Sequence, residues 1–419
     1  MEHKLDVWLF TDKVGTLSFA KGRLQFSYQA DWLSAAYAVP LSCSLPLQAG
    51  AFSDEVARPF FAGLLPEGQI RQLLSKQFHI SSHNDFALLD EIGGECAGAV
   101  TFVDHNELPL QGSADEPEVQ WLADEELLEV LHELPRRPML AGSKDIRLSL
   151  AGAQHKLPVV FNGKKIGLPR NGSPSTHILK PAINDAPGSV VNESFCLQLA
   201  SKLNLDAAHT TVYRVGDVDV LLVARYDRIE NTQSVLQRIH QEDFCQALAV
   251  VPEMKYQNEG GPDLKQCFDL IRAVTRPSAP QILKLLDAVF FNALVGNNDA
   301  HAKNFSILYK SAYPVLAPLY DILCTHVYPD FTPKMAMKIG GKYRFDQVLP
   351  RHWQQFAAAA RLGEAQTLKR LRQLSVKVPK AAQELQANGS FPYAGAAIVE
   401  QIVALIDSRC ELTLGRLDG

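Results

Sequence analysis

Within the stretch VGNNDAHAKNFSILYK, residues 295–310, an aspartate, a histidine and an asparagine (Asp299, His301 and Asn304) follow an apolar helical run and precede a strand-like one. A helix end seldom needs three such groups. Transfer of a phosphoryl group from a nucleotide does need them: a carboxylate to orient and deprotonate the attacking hydroxyl, oxygen ligands for magnesium, and a cation on the phosphates. Asp299 and Asn304 stand five positions apart in the pattern N-x-D-x-x-x-x-N, and a base aspartate followed at that spacing by a metal-ligating asparagine serves such a transfer. Taken alone, Asp299 reads as a loop or capping residue.

The other parts have candidates in a consistent order. Asp321, in LAPLYDIL, stands where a second acidic metal ligand is expected, although its flanks are Tyr-Asp-Ile and not Asp-Phe-Gly. Upstream, Lys180 ends the strand-like run THILK, a position from which a lysine can pair with phosphates, and Glu193 on the next helix could hold it in an ion pair. Further upstream, RLSLAGAQHKLPVVF places a small-residue loop, Ala151 to Gln154, between two strand-like runs. A compact backbone lets amides approach phosphates, but with one glycine the loop is neither a Walker A nor a protein-kinase glycine loop. Ser149 lies at its lip, with Arg147 two positions before it. Two readings of that serine stand side by side: a strand serine facing solvent, and an autophosphorylation site whose new charge of about −1.5 to −2 would repel the γ-phosphate and expel the loop.

These residues need elements to hold them. The strand-like runs DVWLFTD, VGTLSFA and LQFSYQA are followed by an amphipathic segment from Asp54 to Phe78, together a small α+β unit. After AVTFVDH, the polar, acidic stretch NELPLQGSADEPE reads as a linker, and DEELLEVLHELP as a helix. From about Asp145 to Arg238 the pattern is strand-rich. LPVVFNGKKIGLP is a hairpin about Asn-Gly, THILKPA and VDVLLVARYD are strands, and between them SVVNESFCLQLASKLNL is a helix with Val191, Phe195, Leu199 and Leu203 on one face. Beyond His240 helical periodicity dominates, interrupted by the strand-like pairs FSILY with YPVLAPLYD and AMKIGG with YRFDQV.

Composition sets outer bounds. The chain has 419 residues, 47% hydrophobic and 21% charged, enough for two to three domains of globular type. No run of 18 apolar residues occurs and the N-terminus lacks a signal-peptide pattern, so the expected address is the cytoplasm. Seven singly scattered cysteines read as reduced core residues. A net charge of −5 provides no chain-wide attraction to nucleic acid, so any DNA contact would be local or delivered by a partner.

Taken together, RLSLAGAQHK, THILKP, NESFCLQLASKLNL, ARYDR, QEDFCQALAV with KYQNEGGP, GNNDAHAKNFS and PLYDIL resemble the HipA family, the serine/threonine-kinase toxins of bacterial HipBA toxin–antitoxin modules. The N-terminal VGTLSF, FSYQADWL, AVPLSCSLPLQ and FFAGLLPEG resemble that family's N-terminal subdomain, so the resemblance covers nearly the whole chain. It implies an α+β, bilobal, eukaryotic-protein-kinase-like fold with a mixed α/β N-lobe, a mainly helical C-lobe and an extra N-terminal α+β subdomain. The corresponding divisions are 1–140 for the subdomain, 141–238 for the N-lobe and 239–419 for the C-lobe.

The resemblance also implies roles. Asp299 would be the catalytic base, Asn304 and Asp321 the magnesium ligands, and Lys180 the phosphate-binding lysine. Ala151, Gly152, Ala153, Gln154, His155 and Lys156 would form the nucleotide loop, and Ala224, Arg225 and Tyr226 the adenine-reading hinge. His301, Ala302, Lys303 and Asn304, with Tyr320, Asp321, Ile322 and Leu323, would line the ATP site, and Ser149 would be the inactivating autophosphorylation site. Family members phosphorylate an aminoacyl-tRNA synthetase, in the best-known case glutamyl-tRNA synthetase, and uncharged tRNA then triggers growth arrest. A helix-turn-helix antitoxin dimer binds the toxin and represses the operon.

The chain departs from the family in places. Ala224 replaces an acidic hinge residue, and the C-terminal surface keeps Arg361 but has Ala358 where a lysine would help operator contact. Two other readings compete: a small-molecule kinase, which would not need the N-terminal unit of about 140 residues, and a corepressor that binds an antitoxin and DNA with its kinase site degraded.

Overall fold

The computed structural model describes residues 3–105, 107–109, 118–142, 147–231, 235–310, 312–387 and 391–419. The expected linker, Asn106 to Glu118, falls largely outside that set, as does Asp145, where the strand-rich region was expected to begin. Chain contacts divide the molecule into two units, one of Met1–Pro181, Tyr213–Glu253 and Ile307–Ala312, the other of Ala182–Val212, Met254–Ser306 and Tyr313–Gly419.

The first unit is built on sheets. Four antiparallel strands run in the order Arg23–Tyr28, Asp12–Ala20, His3–Leu9, Val100–Asp104. Their alternation places Leu5, Val7, Leu9, Val14, Leu17, Leu24 and Phe26 in one buried core, as a half-buried sheet requires. The segment expected to be amphipathic between Asp54 and Phe78 is two helices, Asp54–Gly63 and Gly68–Gln77. Pro66, with no amide hydrogen to donate, stands in the corner between them.

A second sheet has the order Val119–Trp121, Ile166–Pro169, Leu157–Phe161, His177–Pro181, Val218–Ala224, Thr210–Val215, with the last strand belonging to this unit from Tyr213 onward. The expected hairpin is present: Val160 pairs with Gly167 and Phe161 with Ile166. Asn162 Oδ1 accepts the amides of Lys164 and Lys165 at 3.0 and 2.8 Å, and Gly163 adopts φ 88°, which closes the turn.

The second unit is mainly helical: Ser189–Lys202, Leu264–Val274, Ser278–Val295, Pro350–Ala359, Glu364–Ala387 and Ala397–Asp418, with one hairpin of Lys334–Ile339 and Lys342–Arg344. The two long C-terminal helices pack on each other and on Ser278–Val295. That last helix is long and apolar enough to cross a membrane by length and composition, but every residue from Leu285 to Val295 is buried against protein, as in a core helix. Helix Ser189–Lys202 was expected to bury one face. It is buried nearly all round, Ser194 and Asn192 included, because this unit packs other helices and loops against more than one side of it.

Of the seven cysteines, six are buried and Cys43 is half-buried, all unbridged.

Candidate active site

Helix Ser278–Val295 ends at Gly296, whose φ of 79° terminates it in the left-handed region. A side chain at Gly296 would lie 2.8 Å from Leu405 Cδ2, so glycine is needed for space as well as for conformation. The next residues are fixed by amides. Asn297 donates to Asn292 Oδ1 at 2.8 Å and its own Oδ1 accepts the Asp299 N–H at 3.1 Å. The Asn298 N–H donates to Thr325 Oγ1 and the Ala336 N–H to the Asn298 carbonyl, each at 2.8 Å.

Asn304 Nδ2 donates to the Asp299 carbonyl at 3.0 Å, and the His301 N–H to the same carbonyl at 2.7 Å. The five-residue step is therefore a loop closed by the Asn304 side chain on the Asp299 backbone. Asp299 is half-buried whereas His301, Ala302, Lys303 and Asn304 are buried. Tyr320 hydrogen-bonds to the Lys303 carbonyl and to Ser306 Oγ, both at 2.7 Å, from just before Asp321.

Asp321 adopts φ 56°, a strained backbone for a non-glycine residue. The flanking chain holds it there. Leu319 donates its N–H to the Asp206 carbonyl at 2.7 Å and accepts the Ala208 N–H at 2.8 Å. Downstream, Asn192 accepts the Cys324 N–H at 2.8 Å and donates to the Cys324 carbonyl at 3.1 Å. Ile322 is buried and Leu323 half-buried between these clamps. Glu193, the neighbour of Asn192, is only 4% exposed.

The donor set suits a hard cation. With the Asn304 amide nitrogen directed to the Asp299 carbonyl, its side-chain oxygen would be one ligand atom and the Asp321 carboxylate would supply a second. Among the described residues no cluster of three His, Cys, Asp or Glu side chains is present. Two protein oxygens completed by phosphate and water is the way magnesium is commonly held.

In the first unit, Lys180 is 5% exposed and pairs through its backbone with Leu221, so it is not the solvated end of a strand. The Ala151–Lys156 loop is half-buried with Ala153 exposed. Lys156 Nζ donates to the Ala151 carbonyl at 2.7 Å across Gly152, whose φ is 109° and where a Cβ would come within 2.5 Å of that amine. Gln154 Nε2 donates to the Pro181 carbonyl at 3.3 Å, next to Lys180. Burial holds the His155 imidazole below its usual pKa. The loop also rests on the helix corner, because the Glu67 N–H donates to the Gly152 carbonyl at 3.1 Å. Ser149 does not face solvent: it is fully buried, and its hydroxyl donates to the Leu64 carbonyl at 2.9 Å.

The segment expected to be a hinge has a second task. The Arg225 N–H donates to the Thr176 carbonyl at 2.9 Å. Its guanidinium, 1% exposed, meets Glu95 at 3.1 Å and Asp227 at 2.7 Å, while Arg228 meets Glu95 at 2.9 Å. Burial works against the charge on Glu95, but Arg225 and Arg228 outweigh it and bring that carboxyl down to about 2. Asp227 is lowered by the same arginines against the same burial penalty. Ala224 is half-buried, and Tyr226 donates its hydroxyl to Gln241 Oε1 at 2.8 Å.

Sequence reasoning missed several residues that shape the site. Asn192 and Asn292 act through buried amides that no pattern singles out, and Asn297, the first residue of the N-x-D-x-x-x-x-N pattern, carried no role there. Tyr256, inside KYQNEGGP, donates its hydroxyl to Asp299 Oδ1 at 2.7 Å; the motif was visible, its destination was not. On the C-terminal surface Arg361 and Ala358 are both exposed.

The chain is similar to known proteins over nearly its whole length. The family model described as HipA N-terminal domain matches residues 5–103, and the HipA-like C-terminal domain matches residues 148–382. The chain is 42% identical over 410 residues to the protein named "Putative kinase Y4mE" of Sinorhizobium fredii, covering 97% of this chain and 98% of that one. It is 29% identical over 421 residues to the serine/threonine-protein kinase toxin HipA of Shewanella oneidensis, covering 97% and 94%. The solved complex of Shewanella oneidensis HipA with HipB and operator DNA contains a chain that superposes with a TM-score of 0.85 at 27% identity, over 99% of this chain and 98% of that chain. A mixed α+β chain with these two matched domains and this coverage belongs to the HipA family of serine/threonine kinase toxins.

Proposed function

We propose that this protein is an ATP- and magnesium-dependent serine/threonine protein kinase, the toxin of a type II toxin–antitoxin pair. The observation that carries the reading is the Asp299–Asn304 loop, closed by the asparagine amide on the Asp299 carbonyl. Asp299, half-buried and still in reach of a substrate, takes the proton of the attacking hydroxyl. Asn304 and Asp321 hold magnesium, which supplies charge neutralisation for the phosphates when bound. Lys180, on its strand, offers a positive charge to the phosphates, and Ala151–Lys156 offers backbone amides. With Arg225 engaged in the interior, the adenine contacts fall to the backbone of Ala224 and Tyr226. The ATP site is lined further by His301–Asn304 and Tyr320–Leu323.

Ser149 is the proposed inactivating site. A phosphate there cannot keep the hydroxyl's bond to Leu64, and it brings a large charge into a fully buried position. Modification therefore requires the segment to leave its place, taking the adjoining loop with it. The protein substrate is an aminoacyl-tRNA synthetase of the glutamyl type, and the outcome is growth arrest and persistence in the cytoplasm. A helix-turn-helix antitoxin dimer neutralises the kinase, and operator DNA is reached mainly through that dimer, in keeping with the net charge of −5. The Shewanella oneidensis complex supports these partners.

With γ-labelled ATP and magnesium, the purified protein should label itself at Ser149, and Asp299→Gln should lose about a thousandfold or more in rate. Equal labelling of the two would remove Asp299 from its role. Expression without a partner gene should arrest growth, and the same variant should relieve the arrest.

A further inference from the structure

We infer that Tyr256 is a positioning residue for the base Asp299, an inference that rests on the kinase reading above. A carboxylate on a short side chain can rotate about its last bond, and a base must present one oxygen to the hydroxyl it serves. The Tyr256 hydroxyl donates to Asp299 Oδ1 at 2.7 Å, which limits that rotation.

The tyrosine is itself held firmly. Its carbonyl accepts the N–H groups of Glu259 and Gly261 at 3.0 and 2.9 Å. A Cβ at Gly261 would stand 2.1 Å from the Met254 carbonyl oxygen, so the turn tolerates no side chain there. Its ring meets His301 edge-on, with centroids 5.1 Å apart and planes at 79°.

One strand aligns both partners. From Lys334–Ile339, the Lys338 N–H donates to Gln257 Oε1 at 2.6 Å, and the Ala336 N–H donates to the Asn298 carbonyl at 2.8 Å. The tyrosine turn and the aspartate loop therefore hang from neighbouring positions of one element. That shared support distinguishes a built contact from a chance meeting of two side chains.

The test is the initial rate of label transfer from γ-labelled ATP into the purified full-length protein, measured against ATP concentration for wild type, Tyr256→Phe and Asp299→Gln, with the folded fraction of each taken from its urea curve. Tyr256→Phe keeps the ring on His301 and removes one donor. It should lower kcat per folded molecule about tenfold with the KM for ATP unchanged. An unchanged or faster kcat per folded molecule, a slower rate that comes from a raised KM for ATP, or label found on Tyr256 itself would overturn the inference. If wild type takes no label, or Asp299→Gln labels as wild type does, the kinase reading fails and the inference with it. If Asp299→Gln is silent and Tyr256→Phe is normal, only the inference fails.

Discussion

Two dense polar clusters of this protein differ in their physics. In the first unit Glu95, Arg225, Asp227 and Arg228 sit inside the protein, none more than 7% exposed, with the charges answering one another. In the second unit Asp299 is half-buried; Asn297 and Asn304 hold its backbone N–H and carbonyl, and the Tyr256 hydroxyl donates to its carboxylate. The Glu95 carboxylate, buried and held through one oxygen by two guanidiniums, is out of a substrate's reach. The Asp299 carboxylate is half-buried on a backbone held at both its N–H and its carbonyl. Cluster one holds the fold, and cluster two is the one proposed for chemistry.

That contrast can be broken experimentally. The largest effect should be on Asp299, where the glutamine variant loses the transfer reaction with its melting midpoint unchanged. Next comes Glu95→Ala, which leaves two buried arginines without their shared acceptor and should destabilise the first unit by about 4 kcal/mol, read as a fall in the urea midpoint. A smaller effect is expected at Asn297→Ala, which removes the acceptor of the Asp299 N–H and the donor to Asn292. It should cost about 1 kcal/mol of stability and about tenfold in rate, since the loop that carries the base loses its brace.

The smallest and most gradual effect is on pH. Burial holds His240 down from 6.5 to about 4, and the two arginines hold Glu95 down from 4.5 to about 2 against burial. Both folded values lie below the unfolded ones, so the unfolded chain binds protons first and stability falls with pH. The His240 contribution should be level above about 6.5 and decline between 6.5 and about 4, and the Glu95 contribution should decline between 4.5 and about 2, each read as the difference in urea midpoint between wild type and the His240→Gln or Glu95→Gln variant.

How much of this was legible in the sequence follows from distance along the chain. The Asp299–Asn304 step is local, and so is the hairpin about Asn162, whose side chain bonds two and three residues on; both could be read directly. The hinge motif ARYDR was visible, but the partner that commits Arg225 to the interior, Glu95, lies 130 positions away. Tyr256 reaches Asp299 across 43 positions. No periodicity joins such pairs. Ser149 shows the same limit, because a carbonyl 85 positions upstream turns an apparently exposed strand serine into a buried donor. The all-round burial of helix Ser189–Lys202 likewise depends on neighbours that its own pattern does not contain.

The most direct measurement sets the two clusters side by side: magnesium-dependent label transfer and melting midpoint, recorded together for wild type, Asp299→Gln and Glu95→Gln. The account predicts that Asp299→Gln melts as wild type and transfers no label. It predicts that Glu95→Gln melts earlier and, at temperatures where it is folded, labels at the wild-type rate. Label transfer by Asp299→Gln at the wild-type rate would contradict the central claim.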